Sequence, residues 1–229
     1  MESYDHKILL ASSSPRRKEL IKLLGIPIQF VTPMDKEDFP FHSERPGPYV
    51  VRMAEAKVIS SSKDRSHGTI IIGSDTVVSI ENMILGKPRD ANHAEHMLRL
   101  LRNKEHSIYT ALSVLWKGER ELDSRQVVTK VDMRSYSDIE IAHYIASRDA
   151  FDKAGSYAVQ NVEFCPVRRL QGCYTSAVGL PLCQLVDMLN KIGIKLPNFQ
   201  YKTHAELFRK CSDCLFVKSM YLPESGEPV

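Results

Sequence analysis

A group of hydroxyl and guanidinium side chains follows the first apolar segment of the chain. Residues 8–20 read Ile-Leu-Leu-Ala-Ser-Ser-Ser-Pro-Arg-Arg-Lys-Glu-Leu. Ser14 fits the N-cap of a helix, and Pro15 fits its first position, where a missing N–H costs nothing. Arg16 and Arg17 then stand at the positive end of the helix dipole, which is unfavourable unless an anion binds there. The segment therefore predicts a phosphate site, and the alternatives are a capped helix with solvated arginines or a basic signal in a flexible start of the chain.

A carboxylate lies inside a second apolar segment. Residues 69–78 read Thr-Ile-Ile-Ile-Gly-Ser-Asp-Thr-Val-Val, a β-branched run that is typical of a strand buried on both faces. A buried carboxylate is rare without a partner, and a strand glycine often lets a ligand or another backbone approach. Asp75 is therefore a candidate general base or metal ligand. The alternative is a carboxylate that neighbouring backbone amides satisfy.

Two lysines and a glutamine could also contact a ligand. In the helix predicted from about residue 48 to 60, Lys57 projects from the apolar stripe, so it must either extend to solvent or meet an anion. Lys87 lies in a Gly-Lys-Pro sequence in which the proline fixes the loop, although a solvated loop lysine is the alternative. Gln160 ends an apolar segment that is predicted as a strand, and its amide could read the edge of a nucleobase. It could equally be an ordinary polar residue at a strand end.

Alternating strands and helices must position these side chains. The remaining predicted strands cover 8–10, 28–31, 83–85, 107–116, 121–134 and 167–170, with a hairpin turn at 117–120. Further helices are predicted from a cap at Asp90 to about Asn103, and after a capping box made by Ser137 and Glu140. A last core helix is predicted from residue 179 through Ile192. This order of elements predicts an α/β fold.

Composition excludes several classes of protein. The 229 residues contain 31 Lys+Arg against 28 Asp+Glu, so no uniformly basic face for duplex nucleic acid is expected. Apolar runs are too short for a membrane span or a secretion signal. The five cysteines suggest free thiols in a reducing compartment, and a cytoplasmic location is expected.

The C-terminal part of the chain has a weaker pattern. Residues 198–229 are predicted to be an appended helix and tail. Cys211 and Cys214 have the spacing of half a zinc site. Because a structural zinc ion needs four ligands, this pair is a weak signal for metal binding.

Separated segments of the chain carry motifs that occur together in one known family. They lie at 11–20, 73–78, 85–88, 152–157 and 178–182. In this order they closely resemble the Maf family, the septum-formation-inhibitor-like nucleotide pyrophosphatases, over residues 7 to about 197. The resemblance implies an elongated two-lobed mixed sheet flanked by helices, similar to inosine triphosphate pyrophosphatase (the Maf/Ham1 type). A pyrophosphatase domain is thus expected over 1–197, with a C-terminal extension of unknown role over 198–229.

The resemblance also implies an activity and a set of site residues. The expected reaction is hydrolysis of a small-molecule nucleoside triphosphate to the monophosphate plus pyrophosphate, with Mg²⁺, Mn²⁺ or Co²⁺ as cofactor. Asp75 matches the family's general base and is a possible metal ligand. The positions that match phosphate binding are Ser14, Arg16, Arg17, Lys57 and Lys87. The trio that matches the subgroup acting on dTTP and UTP is Arg16, Thr76 and Gln160.

The chain departs from the family pattern at two positions. Asn161 replaces a usual glycine, and Cys173 replaces the acidic residue of a Gly-Asp-Tyr turn; both bear on substrate preference. Two other functions stay open at this point. One is a non-catalytic nucleotide-binding regulator of cell division, and the other is a house-cleaning pyrophosphatase for modified or purine nucleotides. Assembly as a homodimer also stays open.

Overall fold

The computed structural model describes residues 6–34, 38–63, 65–116, 121–196 and 199. The β-branched and apolar segments form strands, and segments with an apolar stripe form the helices. The strands are β1 (Lys7–Ala11), β2 (Gln29–Val31), β3 (Thr69–Ile80), β4 (Met83–Leu85), β5 (Glu105–Trp116), β6 (Glu121–Met133) and β7 (Val167–Gln171). The helices are α1 (Pro15–Lys22), α2 (Pro46–Ser61), α3 (Ala91–Leu101), α4 (Asp138–Ala146), α5 (Tyr174–Val178) and α6 (Leu182–Lys191), with a short 3₁₀ helix at Ala154–Ser156.

The strands of the described residues form one seven-stranded mixed sheet. Its order is β2-β1-β3-β5-β6-β7, and β4 pairs with β3 outside this path. The strands β2, β1 and β3 run parallel, whereas β3, β5, β6 and β7 pair antiparallel. The strands β3 and β5 have 12 residues each and β6 has 13. At about 3.3 Å per residue each spans about 40 Å, so these three strands form the continuous part of the sheet.

One edge of β3 has two different partners. β1 pairs with its first residues, from Thr69 to Gly73, and β4 pairs with its last residues, from Val78 to Ile80. In the part of the chain that the structure describes, residues 74–77 have no strand beside them on this edge. The sheet is therefore interrupted next to Asp75 and Thr76.

Two apolar cores lie on either side of this interruption. The first surrounds α1 and α6 and includes Ile70 and Ile72 from the start of β3. The second surrounds α3 and α4 and includes Val78 and Ile80 from the end of β3. The predicted two-lobed mixed sheet flanked by helices is thus confirmed.

Gly73 lets α2 lie directly against β3. A Cβ at this position would lie 2.6 Å from Val58 Cγ2 and 2.7 Å from the carbonyl oxygen of Ala54, both on α2. The glycine thus admits a neighbouring backbone, one of the two reasons expected from the sequence. Because side chains alternate along a strand, Asp75 shares the face that carries α2, whereas Thr76 lies on the opposite face.

Three predicted elements differ from the structure. The strand predicted to end at Gln160 is wrong, because Gln160 lies in a turn in which the Asn161 N–H donates to the Ala158 carbonyl oxygen at 3.2 Å. The helix predicted from residue 179 begins only at Leu182, since Gly179 has φ of 122°. The helix α5 before it was not predicted. Before β3, α2 begins at Pro46, two residues earlier than the predicted start at about 48.

Several expectations fall at the limits of the described residues. Of residues 198–229 the structure describes Phe199, so the predicted extension and the Cys211–Cys214 pair lie outside the described part. The domain boundary at 197 therefore stays a prediction. Among the described helices, none is long and apolar enough to cross a membrane.

Candidate active site

A cavity of about 530 Å³ opens at the interrupted edge of β3. The loop after β1 and the loop after β4 enter it from the two lobes, and residues 75–78 of β3 lie between them. Every site residue predicted from the sequence lines this cavity: Ser14, Arg16, Arg17, Lys57, Asp75, Thr76, Lys87 and Gln160. Residues that are far apart in sequence are thus brought into a single cleft.

Asp75 forms an ion pair with Lys57. The Lys57 Nζ donates to Asp75 Oδ1, and the two side chains are 12% and 11% exposed, respectively. Of the two outcomes open for this lysine, contact with an anion is the correct one. The ammonium charge offsets the carboxylate charge at short range, so the carboxylate can lie in a cleft that also accepts an anion.

The start of α1 faces the same cleft. Ser14 occupies the predicted N-cap and Pro15 the first helical position, but the Ser14 hydroxyl does not cap the first turn. The Ser14 N–H instead donates to Ser12 Oγ at 3.1 Å. An α-helix leaves its first N–H groups without intrahelical acceptors. Because the Ser14 side chain does not satisfy them, the positive end of α1 is suited to an anionic ligand.

The Arg17 guanidinium lies on the face of β3 opposite to Asp75. Its Nε donates to the carbonyl oxygen of Gly179 at 2.8 Å, and its Nη2 donates to Thr76 Oγ1 at 3.1 Å. The Thr110 hydroxyl lies 3.1 Å from Thr76 Oγ1 and 2.9 Å from the carbonyl oxygen of Ser176. A Cβ at Gly179 would lie 3.3 Å from Arg17 Nε. In this arrangement Thr76 orients Arg17.

Arg16 belongs to a different set of charges. Its Nη1 donates to Asp152 Oδ2 at 3.1 Å and its Nη2 donates to the Asp152 carbonyl oxygen at 3.3 Å. Lys153 Nζ donates to Asp152 Oδ1 at 2.6 Å and to Asp149 Oδ1 at 2.7 Å. Burial raises the pKa of Asp152, but the contacts with Lys153 and Arg16 lower it by a larger amount. The pKa of this carboxyl group therefore lies below its usual value. The Asp152 carboxylate is therefore ionised at neutral pH.

Gln160 and Lys87 line the cleft from the second lobe. The Gln160 amide makes no hydrogen bond to any residue that the structure describes, and the residue is half-buried. Its donor and acceptor are therefore available to a ligand. The loop that carries Lys87 is tied to the 3₁₀ helix, because the N–H of Gly155 donates to the Gly86 carbonyl oxygen at 3.0 Å.

The two departures from the family pattern act outside the cleft. Asn161 Nδ2 donates to Asp149 Oδ2 at 3.0 Å, and its Oδ1 accepts from the Phe164 N–H at 2.7 Å. Cys173 is the N-cap of α5, where its Sγ accepts from the Ser176 N–H at 3.4 Å. Neither side chain lines the cavity, so both contribute to local structure.

Sequence reasoning missed several residues of the cleft. Tyr49 and Met53 line the cavity and precede Lys57 at intervals of four residues, so helical spacing could have placed them on its face. Tyr157 also lines it, and its hydroxyl lies 2.6 Å from His106 Nε2. Burial lowers the pKa of His106 to about 4, so this imidazole is neutral at physiological pH. Nothing in the local sequence of Thr110 indicated its contact with Thr76.

The donor set of the cleft bears on metal binding. Within the described ranges, no group of three or more His, Cys, Asp or Glu side chains is placed to hold a metal ion. Of the residues that the structure describes, Asp75 and Asp152 are the carboxylates that line the cavity. Mg²⁺ commonly binds through one or two carboxylates together with substrate phosphates and water. The residues present therefore fit a metal ion that is held largely by the substrate.

A two-lobed α/β fold whose cleft combines a helix N-terminus, cationic side chains and a carboxylate defines a class of proteins suited to binding a polyphosphate ligand. The family model described as Maf-like protein matches residues 7–192. This chain belongs to that family, as its motifs led us to expect.

Relatives with related sequences have named activities. A dTTP/UTP pyrophosphatase from Geobacter sp. (strain M21) is 40% identical over 186 residues, which cover 81% of this chain and 95% of the relative. A dTTP/UTP pyrophosphatase from Nitratidesulfovibrio vulgaris is 38% identical over 189 residues, covering 82% of this chain and 89% of the relative.

Two solved structures share a limited likeness with the chain. One is the nucleoside-triphosphatase (dITP/XTP pyrophosphatase) of Mycobacterium abscessus, with 16% identity, a TM-score of 0.35, and coverage of 56% of this chain and 74% of that one. The other is a HAM1 protein from Coxiella burnetii, with 16% identity, a TM-score of 0.38, and coverage of 56% and 73%.

Proposed function

We propose that this protein hydrolyses UTP and dTTP to the monophosphate and pyrophosphate. The observation that carries the proposal is the position of Asp75 in a cleft that also presents cationic side chains and a helix N-terminus. The names of the relatives support the same reaction. A cleft of about 530 Å³ lies within the range of small-molecule sites.

The triphosphate would bind at the start of α1. A nucleoside triphosphate carries about four negative charges near neutral pH, which suits a site with several cations and oriented N–H groups. Arg17, Lys87 and the hydroxyl of Ser14 would contact phosphate oxygens. Lys57 would act mainly on Asp75, because the ion pair already engages its ammonium group.

Asp75 would orient the attacking water and accept its proton. Its carboxylate is fixed by Lys57 from α2, and a fixed carboxylate is what general base catalysis requires. A divalent cation such as Mg²⁺, Mn²⁺ or Co²⁺, with Asp75 as its protein ligand, would supply further stabilisation of charge on the phosphates. Arg17 and Lys87 would stabilise the departing pyrophosphate.

The base would be recognised by Gln160. Uracil and thymine both present an N3–H donor between two carbonyl acceptors, and an amide can donate to one and accept from the N3–H. Cytosine reverses part of this pattern, and a purine is larger. An unmatched buried hydrogen-bonding group costs about 1–3 kcal/mol, so UTP and dTTP would react about tenfold to a hundredfold faster than CTP.

One observation favours a second candidate function. Because Lys57 offsets the charge of Asp75, the ion pair as a whole has no net negative charge to oppose simple binding of an anion. A nucleotide-binding regulator that does not hydrolyse its ligand would therefore be compatible with the same cleft.

An assay of pyrophosphate release separates the candidate functions. It is run with Mg²⁺, Mn²⁺ and Co²⁺ in turn on UTP, dTTP, CTP, ATP, GTP and modified triphosphates. The proposed function predicts release from UTP and dTTP ahead of CTP and the purines, and none without a divalent cation. Tight binding without release would favour the regulator. Higher rates with modified or purine nucleotides would favour a house-cleaning enzyme.

The location and assembly are also proposals. An exposed free thiol at Cys165 is compatible with the reducing cytoplasm. A homodimer would be detected by light scattering of the purified protein.

A further inference from the structure

The positive charge of Arg16 is paired with the carboxylate of Asp152. Its guanidinium donates both to the carboxylate and to the backbone carbonyl of Asp152. An arginine has N–H donors on three nitrogen atoms and no acceptor, and among the residues that the structure describes, Arg16 has no other acceptor. The remaining N–H groups are therefore available in the cleft.

Asp152 is itself fixed in place by a buried lysine. The Lys153 side chain is 7% exposed, and its Nζ donates to Asp152 Oδ1, Asp149 Oδ1 and the Asp149 carbonyl oxygen. Two carboxylates thus balance two cations in the order Arg16, Asp152, Lys153, Asp149. The Asp152 side chain is still 56% exposed and the residue lines the cavity, so its negative charge acts on a ligand in the cleft.

This arrangement makes Arg16 poorly suited to a phosphate. A triphosphate next to Arg16 would also lie close to the carboxylate of Asp152, and like charges at short range repel. A neutral carbonyl oxygen meets no such repulsion and can accept from the remaining N–H groups. The geometry therefore assigns Arg16 to a neutral part of the substrate.

We propose that Asp152 is a positioning residue for base recognition, which holds Arg16 so that its remaining N–H groups donate to a carbonyl oxygen of uracil or thymine. This inference rests on the proposed function. Uracil and thymine have carbonyl groups at positions 2 and 4, whereas cytosine has an amino group at position 4. Because the carbonyl at position 2 is common to all three bases, the contact that discriminates is at position 4. A group that only donates is satisfied there by the carbonyl of uracil or thymine and is left unsatisfied by the amino group of cytosine.

The test measures binding, so that it does not depend on turnover. Calorimetry gives the affinities of the α,β-methylene analogues of UTP and CTP for the full chain. The variants are Asp152→Ala and the size-conserving Asp152→Asn, each in the native chain and together with Arg16→Ala. The matched control is Asp149→Ala, because Asp149 also binds Lys153 but does not contact Arg16. Thermal unfolding of each variant reports on its fold.

We expect Asp152→Ala to reduce the preference for the UTP analogue about tenfold, and Asp152→Asn to reduce it less. Asp149→Ala should leave the preference within about twofold, and Asp152→Ala should have no further effect on preference once Arg16 is alanine. Equal loss in the Asp149 and Asp152 variants, or a loss that persists without Arg16, would overturn the inference. Equal affinities of the native chain for both analogues would overturn it too. Absence of UTP hydrolysis alongside an intact preference would instead reject only the proposed function.

Discussion

Replacing Asp75 by asparagine should separate binding from catalysis. The amide cannot accept a proton from water, and loss of a general base costs about 10²- to 10⁴-fold in rate. The oxygen of the new amide can still accept a hydrogen bond from Lys57, so the side chain should keep its position. We therefore expect pyrophosphate release from UTP to fall by at least about a hundredfold.

Binding of the nucleotide should move in the opposite direction. The substitution removes a negative charge from a cleft side chain that is 11% exposed and leaves the Lys57 charge in place. At about 6 Å from a phosphate, with an effective dielectric constant of about 20–40, this change is worth about 1–3 kcal/mol. The α,β-methylene analogue of UTP should then bind about fivefold to a hundredfold more tightly when a chelator removes divalent cations.

The cost in stability should be small by comparison. Lys57 would exchange an ion pair for a neutral hydrogen bond while keeping access to water through the cleft, which we estimate at no more than about 2 kcal/mol. For a chain of this size, Tm would fall by no more than about 8 °C. Asp132→Asn is a matched control, because Asp132 pairs with Arg168 on β6 and β7 and does not line the cavity.

The opposite charge change sharpens the comparison. Lys57→Met should weaken binding of the same analogue, because it leaves the Asp75 carboxylate without its partner, and it should also lower turnover. Near-normal pyrophosphate release by Asp75→Asn would refute the assignment of the base. Weaker metal-free binding by the same variant would refute the electrostatic reasoning.

Two further predictions concern the base and the C-terminal extension. Gln160→Glu should slow hydrolysis of UTP and dTTP at least about tenfold, since an ionised carboxylate cannot donate to a carbonyl group; unchanged kcat/KM for both would contradict base recognition by Gln160. Deletion of residues 198–229 should leave the kcat/KM for UTP within about twofold, and a large loss of activity or solubility in the truncated chain would show that the extension contributes to the folded domain.

The elements around the cleft were predictable wherever local chemistry dominates. The β-branched segment that became β3 is buried along almost its whole length, as its composition indicates. The capping box of Ser137 and Glu140 begins α4 as predicted, because both of its hydrogen bonds join residues three positions apart. The candidate status of Asp75 followed from the same logic, since a carboxylate in such a strand needs a partner.

The partners themselves could not be read from the sequence. Asp75 and Lys57 meet because Gly73 admits α2 against the strand, and the sequence left open whether this glycine serves a helix or a ligand. The turn at Gly155 and Ser156 was missed because apolar residues follow it, and these residues, such as Tyr157, fill the core of the second lobe without forming a strand. The apolar pattern of this segment reflects burial in the core, whereas its backbone conformation determines that no strand forms.

The neighbouring arginines of α1 show that a sequence motif identifies the positions of site residues without defining the role of each one. Successive residues of an α-helix point about 100° apart, and Arg16 and Arg17 contact different partners. Arg17 contacts Gly179, which precedes Leu180 and Leu182 of the first core. Arg16 contacts Asp152, next to Ala150 and Ala154 of the second. One helical turn thus contacts both lobes. Phosphates bound at Arg17 and a base bound at Arg16 would therefore contact adjacent residues. The orientation of the nucleotide would then depend on how the two lobes meet at α1.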